Sequence, residues 1–211
     1  MIEAYLVTLL GVALAQASPG PNMLAVAGAA LGAGRRAALW TVAGVATGML
    51  VWAALVAFGV GAVLALYPAL LSGMKLLGGA YLLWLAFRAG RAAWAGGAPS
   101  VRADGTARTP RASWWRGMLV VLTNPKALLM WSAVATFLFG SGLSAWQVAG
   151  FGPVGAVSAA LIYGAYALLF SSGMASRAYA RAARAVEAGT GAAFGALGGR
   201  LVWDGVRELR A

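Results

Sequence analysis

The chain has 211 residues, is 62% hydrophobic and only 10% charged, and its mean hydropathy of +0.81 excludes an ordinary soluble domain. It contains neither Cys nor His, which removes disulfides, thiolate catalysis, thiolate metal sites and the usual proton shuttle, so neither a cofactor nor a metal is expected. A net charge of +11 would suggest nucleic acid in a soluble protein, but the arginines fall between apolar runs, and no nucleic-acid partner is expected.

Crossing a bilayer takes about 20 apolar residues. Runs of that kind lie at 4–33, 38–66, 69–87, 117–140, 147–175 and 188–206. The first is interrupted by "LAQASPGPNML", residues 14 to 24. Ala15-Gln16-Ala17 offers the small residues of a signal-peptide cleavage site, yet the only early charge is Glu3 and no Lys or Arg precedes Arg35. An uncleaved first span is therefore expected.

Basic residues then alternate by side. Arg35 and Arg36 follow the first run, none flanks Tyr67-Pro68, and Arg88, Arg91, Arg102, Arg108, Arg111 and Arg116 follow the third. None lies in 141–146, and Arg177, Arg181 and Arg184 follow the fifth run. The positive-inside rule puts the first, third and fifth loops in the cytoplasm. The last run, with Arg200 and several glycines, either spans or lies on the surface; Arg207 and Arg210 keep a five-span form with an inner C-terminus open.

The Gly/Ala/Arg-rich stretch 88–116 reads as a flexible cytoplasmic linker between a first half, 1–87, and a second, 117–211. With three spans per half, the second enters the membrane in the opposite sense. The expected fold is an all-α integral membrane protein of six transmembrane helices, arranged as two inverted three-helix repeats. "SPGPN" breaks the first helix of one half and "TNPK" the first helix of the other.

Proline lacks an N–H and clashes with the carbonyl four residues back, so Pro19, Pro21 and Pro125 open the backbone of their helices. Inside lipid such backbone is tolerated only where protein buries it or a wet cavity receives it. Gly20 permits unusual conformations, and Asn22 is placed to cap a helix restarting at Met23. Both breaks fall near the midplane, and paired broken helices at that depth point to a transporter's binding site.

Two lysines sharpen the expectation. Lys126 is a cation in mid-span, where it costs about 3 kcal/mol. Lys75 either snorkels to the interface or faces inward, and Gly78 and Gly79 favour the second because a neighbouring helix can approach that face. No Asp or Glu lies deep in a confident span, so a ligand carboxylate is the expected counter-charge. Pairs such as Gly44-x3-Gly48 read as helix packing, and Ser72-x-x-Lys75 matches an acyl-transfer motif without its companion motifs.

"ASPGPNML", "MKLLGGAYLLWLAFRAGR" and "WRGMLVVLTNPKALLMW", in that order, resemble the LysE/RhtB family of amino-acid exporters across essentially the whole chain. The resemblance implies an exporter in the bacterial inner (plasma) membrane, driven by an ion gradient, with an amino acid, a coupling ion such as the proton, and membrane lipids as partners. It leaves room for a homodimer. Carried over by position it marks Pro19, Gly20, Pro21, Asn22, Lys75, Gly78, Tyr81, Leu82, Asn124, Pro125 and Lys126, to which Ser18 in the break is added as a site residue. Ala86 stands where members often have glycine, and Met49 where some have an acidic residue. Lacking that acid, the chain suits neutral substrates such as threonine, homoserine or close analogues. Lysine titration at Lys75 or Lys126 would then supply the coupling. Two other classes stay open, an intramembrane Ser/Lys enzyme and a passive channel or lipid scaffold.

Overall fold

The computed structural model describes residues 1–67, 70–95, 103, 109–172 and 175–209, with the backbone alone for 175–184, 186 and 187. Every regular element among them is helical: α1 (Ile2–Ala17), α2 (Pro21–Ala54), a π-helical turn (Leu55–Val60), α3 (Gly61–Leu66), α4 (Leu70–Ala95), α5 (Pro110–Leu122), α6 (Pro125–Gly140), α7 (Ala145–Ser171) and α8 (Ala175–Leu209). Three stretches are long and apolar enough to cross a membrane: Pro21–Leu66, Leu70–Ala95 and Ala145–Ser171. A fourth forms if α5 and α6, bent by 60° at their junction, count as one.

Both expected breaks are present. Ser18 leaves α1 in an extended conformation (φ −73°, ψ 145°), Gly20 is fully extended, and Pro21 occupies the first turn of α2. There its missing N–H is one of the groups without a helical partner anyway. The cap differs from expectation: Gly20 stands at the N-cap, and Asn22 lies inside the first turn with its side chain turned toward the core. Proline, with φ already set for a helix, starts the helix two residues before Met23. In the second half Asn124 is the cap, its Oδ1 accepting from the Lys126 backbone N–H at 2.9 Å, with Pro125 next.

The backbone opened by the first break finds partners in side chains. Tyr166 Oη donates to the Ala17 carbonyl, Thr190 Oγ1 to Leu14 at 3.4 Å, and Lys126 Nζ reaches the Ser18 and Pro19 carbonyls at 3.5 Å each. Such accounting is what a low-dielectric surrounding demands.

Further along, α2 is interrupted at Gly34, whose φ of 83° and ψ of 176° suit only glycine, just before Arg35 and Arg36. The chain turns there, and residues 35–54 run back against α5 and α7. Glycine allows these approaches: a Cβ at Gly152 of α7 would lie 2.7 Å from the Ala53 Cβ. On the other side α4 lies along α8, where a Cβ on Gly79 would be 2.9 Å from the Gly198 carbonyl oxygen and one on Gly198 would be 2.8 Å from that of Gly79. Small residues thus let backbones touch where apolar side chains gain little from leaving lipid.

Two expectations about boundaries change. Residues 88–95 and 110–116, placed in the linker, are helical parts of α4 and α5, while 96–102 and 104–108 lie outside the described residues. The last run, 188–206, is part of one 35-residue helix. Large apolar side chains such as Leu6, Leu10, Leu77, Phe87, Leu161 and Trp203 face outward, as lipid contact requires, while Trp131 and Phe151 fill the centre.

Candidate functional site

The two breaks meet. Asn124 Nδ2 donates to Asn22 Oδ1 at 3.0 Å, and Asn22 Nδ2 donates to Tyr163 Oη on α7 at 3.4 Å. Both asparagines are buried, at 7% and 4% exposure, so each needs these partners. Lys126, in the first turn of α6, returns across the gap: its ammonium donates to Ser18 Oγ as well as to the two carbonyls of the first break. A Cβ on Gly20 would stand 3.5 Å from the Lys126 Nζ, so glycine leaves the room the ammonium occupies.

Gln16 extends the polar cluster one turn up α1, donating to the Gly155 carbonyl at 3.2 Å and accepting from Ser158 Oγ at 2.8 Å. A small void of about 20 Å³ lies among Gln16, Ser18, Asn22, Met49, Asn124 and Tyr163. Met49 is fully buried there and its side chain faces this cluster.

Toward the arginine-bearing ends of the helices the site opens into a cavity of about 340 Å³. Its walls hold the expected Ser18, Pro19, Gly20, Pro21, Tyr81, Asn124, Pro125 and Lys126. They also hold Trp84, Arg88, Thr190 and Phe194, none of which was expected. Away from that side α1, α6 and α8 close over an almost wholly apolar gap of about 50 Å³ between residues such as Val12, Leu82, Met130 and Leu201. The cavity at the two breaks therefore opens toward the side the positive-inside rule assigns to the cytoplasm.

Gly78 and Lys75 sit apart from this cluster. Gly78 packs on α6, where a Cβ would be 3.6 Å from the Ala133 Cα. Lys75 faces inward, as expected, but it has a protein counter-charge: Nζ pairs with Glu208 Oε1, and Ser72 Oγ donates to the other carboxylate oxygen at 3.0 Å. The expectation of a lysine awaiting a ligand carboxylate is corrected here. α8 continues past the last apolar run and lies along α4, which brings residues 133 apart in sequence side by side. Together with Gly140, Asp204 and Arg207 the pair borders a separate cavity of about 390 Å³.

The asymmetry of this pair gives a prediction. The Lys75 side chain is 9% exposed, whereas that of Glu208 is 43% exposed. Glu208→Gln leaves the less exposed charge without its partner and should destabilise the protein, whereas Lys75→Met leaves a carboxylate that water can solvate and should cost less. Thermal unfolding in detergent checks the order; equal losses would contradict the burial argument.

Sequence reasoning overlooked Gln16, Tyr163 and Tyr166 as members of the site, although each is a polar group in an apolar run. The requirement that such groups find partners at depth was the available signal. Nothing local marked Arg88, Thr190 or Glu208.

Helices interrupted at matching places, with polar side chains gathered on the interruptions and a cavity leading to them, define a membrane translocator. The chain matches the LysE type translocator family over residues 13–205 and belongs to it. It is 27% identical over 205 residues to the threonine efflux protein of Escherichia coli strain K12, covering 96% of this chain and 98% of that protein. It is 28% identical over 197 residues to the uncharacterized membrane protein YahN of the same strain, covering 90% of this chain and 85% of the relative. An uncharacterized membrane protein of Haemophilus influenzae is 27% identical over 195 residues, with coverage of 91% and 92%. No solved structure matches. The family and the apolar helices make this a multi-pass transporter of the bacterial inner membrane.

Proposed function

We propose that the protein is a secondary-active exporter of small zwitterionic amino acids, threonine- or homoserine-like or close analogues, working by alternating access. In this reading its six spans form two inverted three-helix halves, with the breaks at Ser18–Asn22 and Asn124–Lys126 as the substrate site. Ser18, Pro19, Gly20, Pro21, Asn22, Tyr81, Asn124, Pro125 and Lys126 line the route, while Gly78 and Lys75 hold α4 in place.

The observation that carries the reading is the junction of the two breaks through Lys126 and the Asn22–Asn124 hydrogen bond. A substrate carboxylate finds there an ammonium and the starts of two helices, all favourable to an anion. Its ammonium finds carbonyl oxygens of the opened backbone and the amide oxygens of the asparagines. Met49 offers no charge to a basic side chain, which favours neutral substrates. The threonine efflux protein among the relatives supports the same class. Export proceeds as the cytoplasmic cavity fills, closes, and the apolar contact between α1, α6 and α8 parts.

Proton coupling falls to Lys126 in this reading, because Lys75 is engaged by a carboxylate. Purified protein in liposomes should exchange labelled threonine or an analogue for unlabelled substrate in a saturable manner. Saturable counterflow distinguishes it from a channel or scaffold, and its absence across a panel of neutral amino acids would refute the proposal.

One contact favours a second reading, an intramembrane Ser/Lys enzyme: Lys126 Nζ meets Ser18 Oγ. Ser72 and Lys75 do not serve, since Glu208 holds both. Covalent capture of Ser18 by a fluorophosphonate would support the enzyme; its absence together with counterflow supports the exporter.

A further inference from the structure

We propose that the cavity at Lys75 and Glu208 is a second substrate site, from which the transported zwitterion is released on the side opposite Arg88 and Arg91. The amino acid occupies it by inserting between the two charges. The proposal rests on the exporter reading and extends its route.

Three spaces follow one another along the same helices. On α8 they are bordered in turn by Thr190, Phe194, Leu197, Leu201, Asp204 and Glu208, at intervals of three or four residues that keep to one face of the helix. Phe194 borders both the cavity at the breaks and the apolar gap. On α6 the same order runs from Lys126 and Leu129, through Met130 and Phe137, to Gly140. The antiparallel α4 contributes Leu85 to the first space, Leu82 to the second and Lys75 to the third. The third, of about 390 Å³, lies where the helices end: Gly140 is the last residue of α6, and Glu208 is next to last in α8.

The chemistry of this last cavity matches an α-amino acid. Lys75 meets the substrate carboxylate, and Glu208 its ammonium. In the structure the two satisfy each other, and Ser72 Oγ donates to the second Glu208 oxygen at 3.0 Å. A zwitterion separates such a pair without stranding either charge, because each gains an opposite partner as it loses one. A monocarboxylate would set a second anion beside Glu208, and a simple amine a second cation beside Lys75, so neither half of the substrate suffices.

Room for the exchange is present. A Cβ on Gly140 would stand 3.1 Å from Lys75 Cε and 3.6 Å from Nζ, so glycine makes space for this ammonium as Gly20 does for that of Lys126. The pair fastens α4 to α8 while it is closed. When it opens, the close backbone contact at Gly79 and Gly198 keeps the helices together.

The chain contains no cysteine, so a single thiol can report on the cavity. Asp204→Cys places one in its wall, at the expense of an exposed 3.9 Å pair with Arg200 that contributes little. The purified protein in detergent is alkylated with N-ethylmaleimide in the presence of threonine, or of the neutral amino acid that counterflow ranks first. At about ten times its half-protecting concentration the amino acid should slow alkylation about tenfold. Butyrate and propylamine should protect little. Protection should disappear when Lys75→Met or Glu208→Gln is added, and persist when Lys126→Ala is added.

An unprotected thiol in a protein that exchanges the amino acid would overturn the outer site while leaving the exporter standing. So would equal protection by butyrate or propylamine, protection indifferent to Lys75→Met and Glu208→Gln, or protection lost with Lys126→Ala. Absence of counterflow for every neutral amino acid would instead overturn the exporter reading itself.

Discussion

Lys126→Ala should abolish export, lowering counterflow by about a hundredfold or more, while the protein still inserts and folds. The ammonium donates to Ser18 Oγ and reaches the Ser18 and Pro19 carbonyls, so it ties the second break to the first. A charge-assisted hydrogen bond to a substrate carboxylate is worth about 2–3 kcal/mol, and its loss alone accounts for a factor of thirty or more. Losing the tie between the breaks adds to this by letting the site geometry relax. Stability should fall little, because removing a partly buried cation also removes its desolvation penalty.

Lys126→Arg should rescue poorly. The space beside Gly20, where a Cβ would stand 3.5 Å from both Cδ and Nζ of Lys126, is shaped for a slender ammonium rather than a planar guanidinium. Initial counterflow rates with matched protein amounts measure the loss, and the detergent melting temperature shows that folding persists. Full proton-driven transport by Lys126→Ala would remove this lysine from both substrate binding and coupling.

Gly117→Ala should cause a large loss of stability, comparable to that of Gly44→Ala. A Cβ there would lie 2.0 Å from the Thr41 carbonyl oxygen and 2.9 Å from its carbonyl carbon. The reciprocal contact is as close: a Cβ on Gly44 would be 1.9 Å from the Trp114 carbonyl oxygen. Backbone atoms cannot rotate away as a side chain can, so α2 and α5 must separate. The expected penalty is about 3 kcal/mol or more, at the upper end for overpacking.

Function should suffer as well, since α5 leads directly through Thr123 to Asn124. Gly90→Ala is the matched control: nothing lies within 4 Å of its Cβ, and alanine favours the helix. Thermal unfolding and the yield of monodisperse protein read both. A Gly117→Ala protein melting with the wild type would show that the two helices do not pack this closely.

Much of the candidate site's geometry was legible because proline acts locally. Wherever Pro19, Pro21 and Pro125 fall, their missing N–H and fixed φ break the helix, and mid-span position then demands polar partners. Lys126 was recognisable by the same reasoning, as a charge within an otherwise apolar run. Asn22 was misplaced at the cap because Pro21 competes for the start of the helix and prevails, which frees the amide to reach Asn124.

Composition and the order of residues alone determined that this chain is helical, belongs in a membrane, and opens its backbone at two points, since each follows from the chemistry of single residues and their neighbours. Only the tertiary structure decided that the two openings face each other, that Glu208 neutralises Lys75, and that Arg88 faces the cavity while Arg91 does not. Those outcomes depend on how each helix is rotated and how closely its glycines let it approach the next. Rotation about a helix axis is set by contacts with chain segments as much as 133 residues away, and no local propensity encodes it.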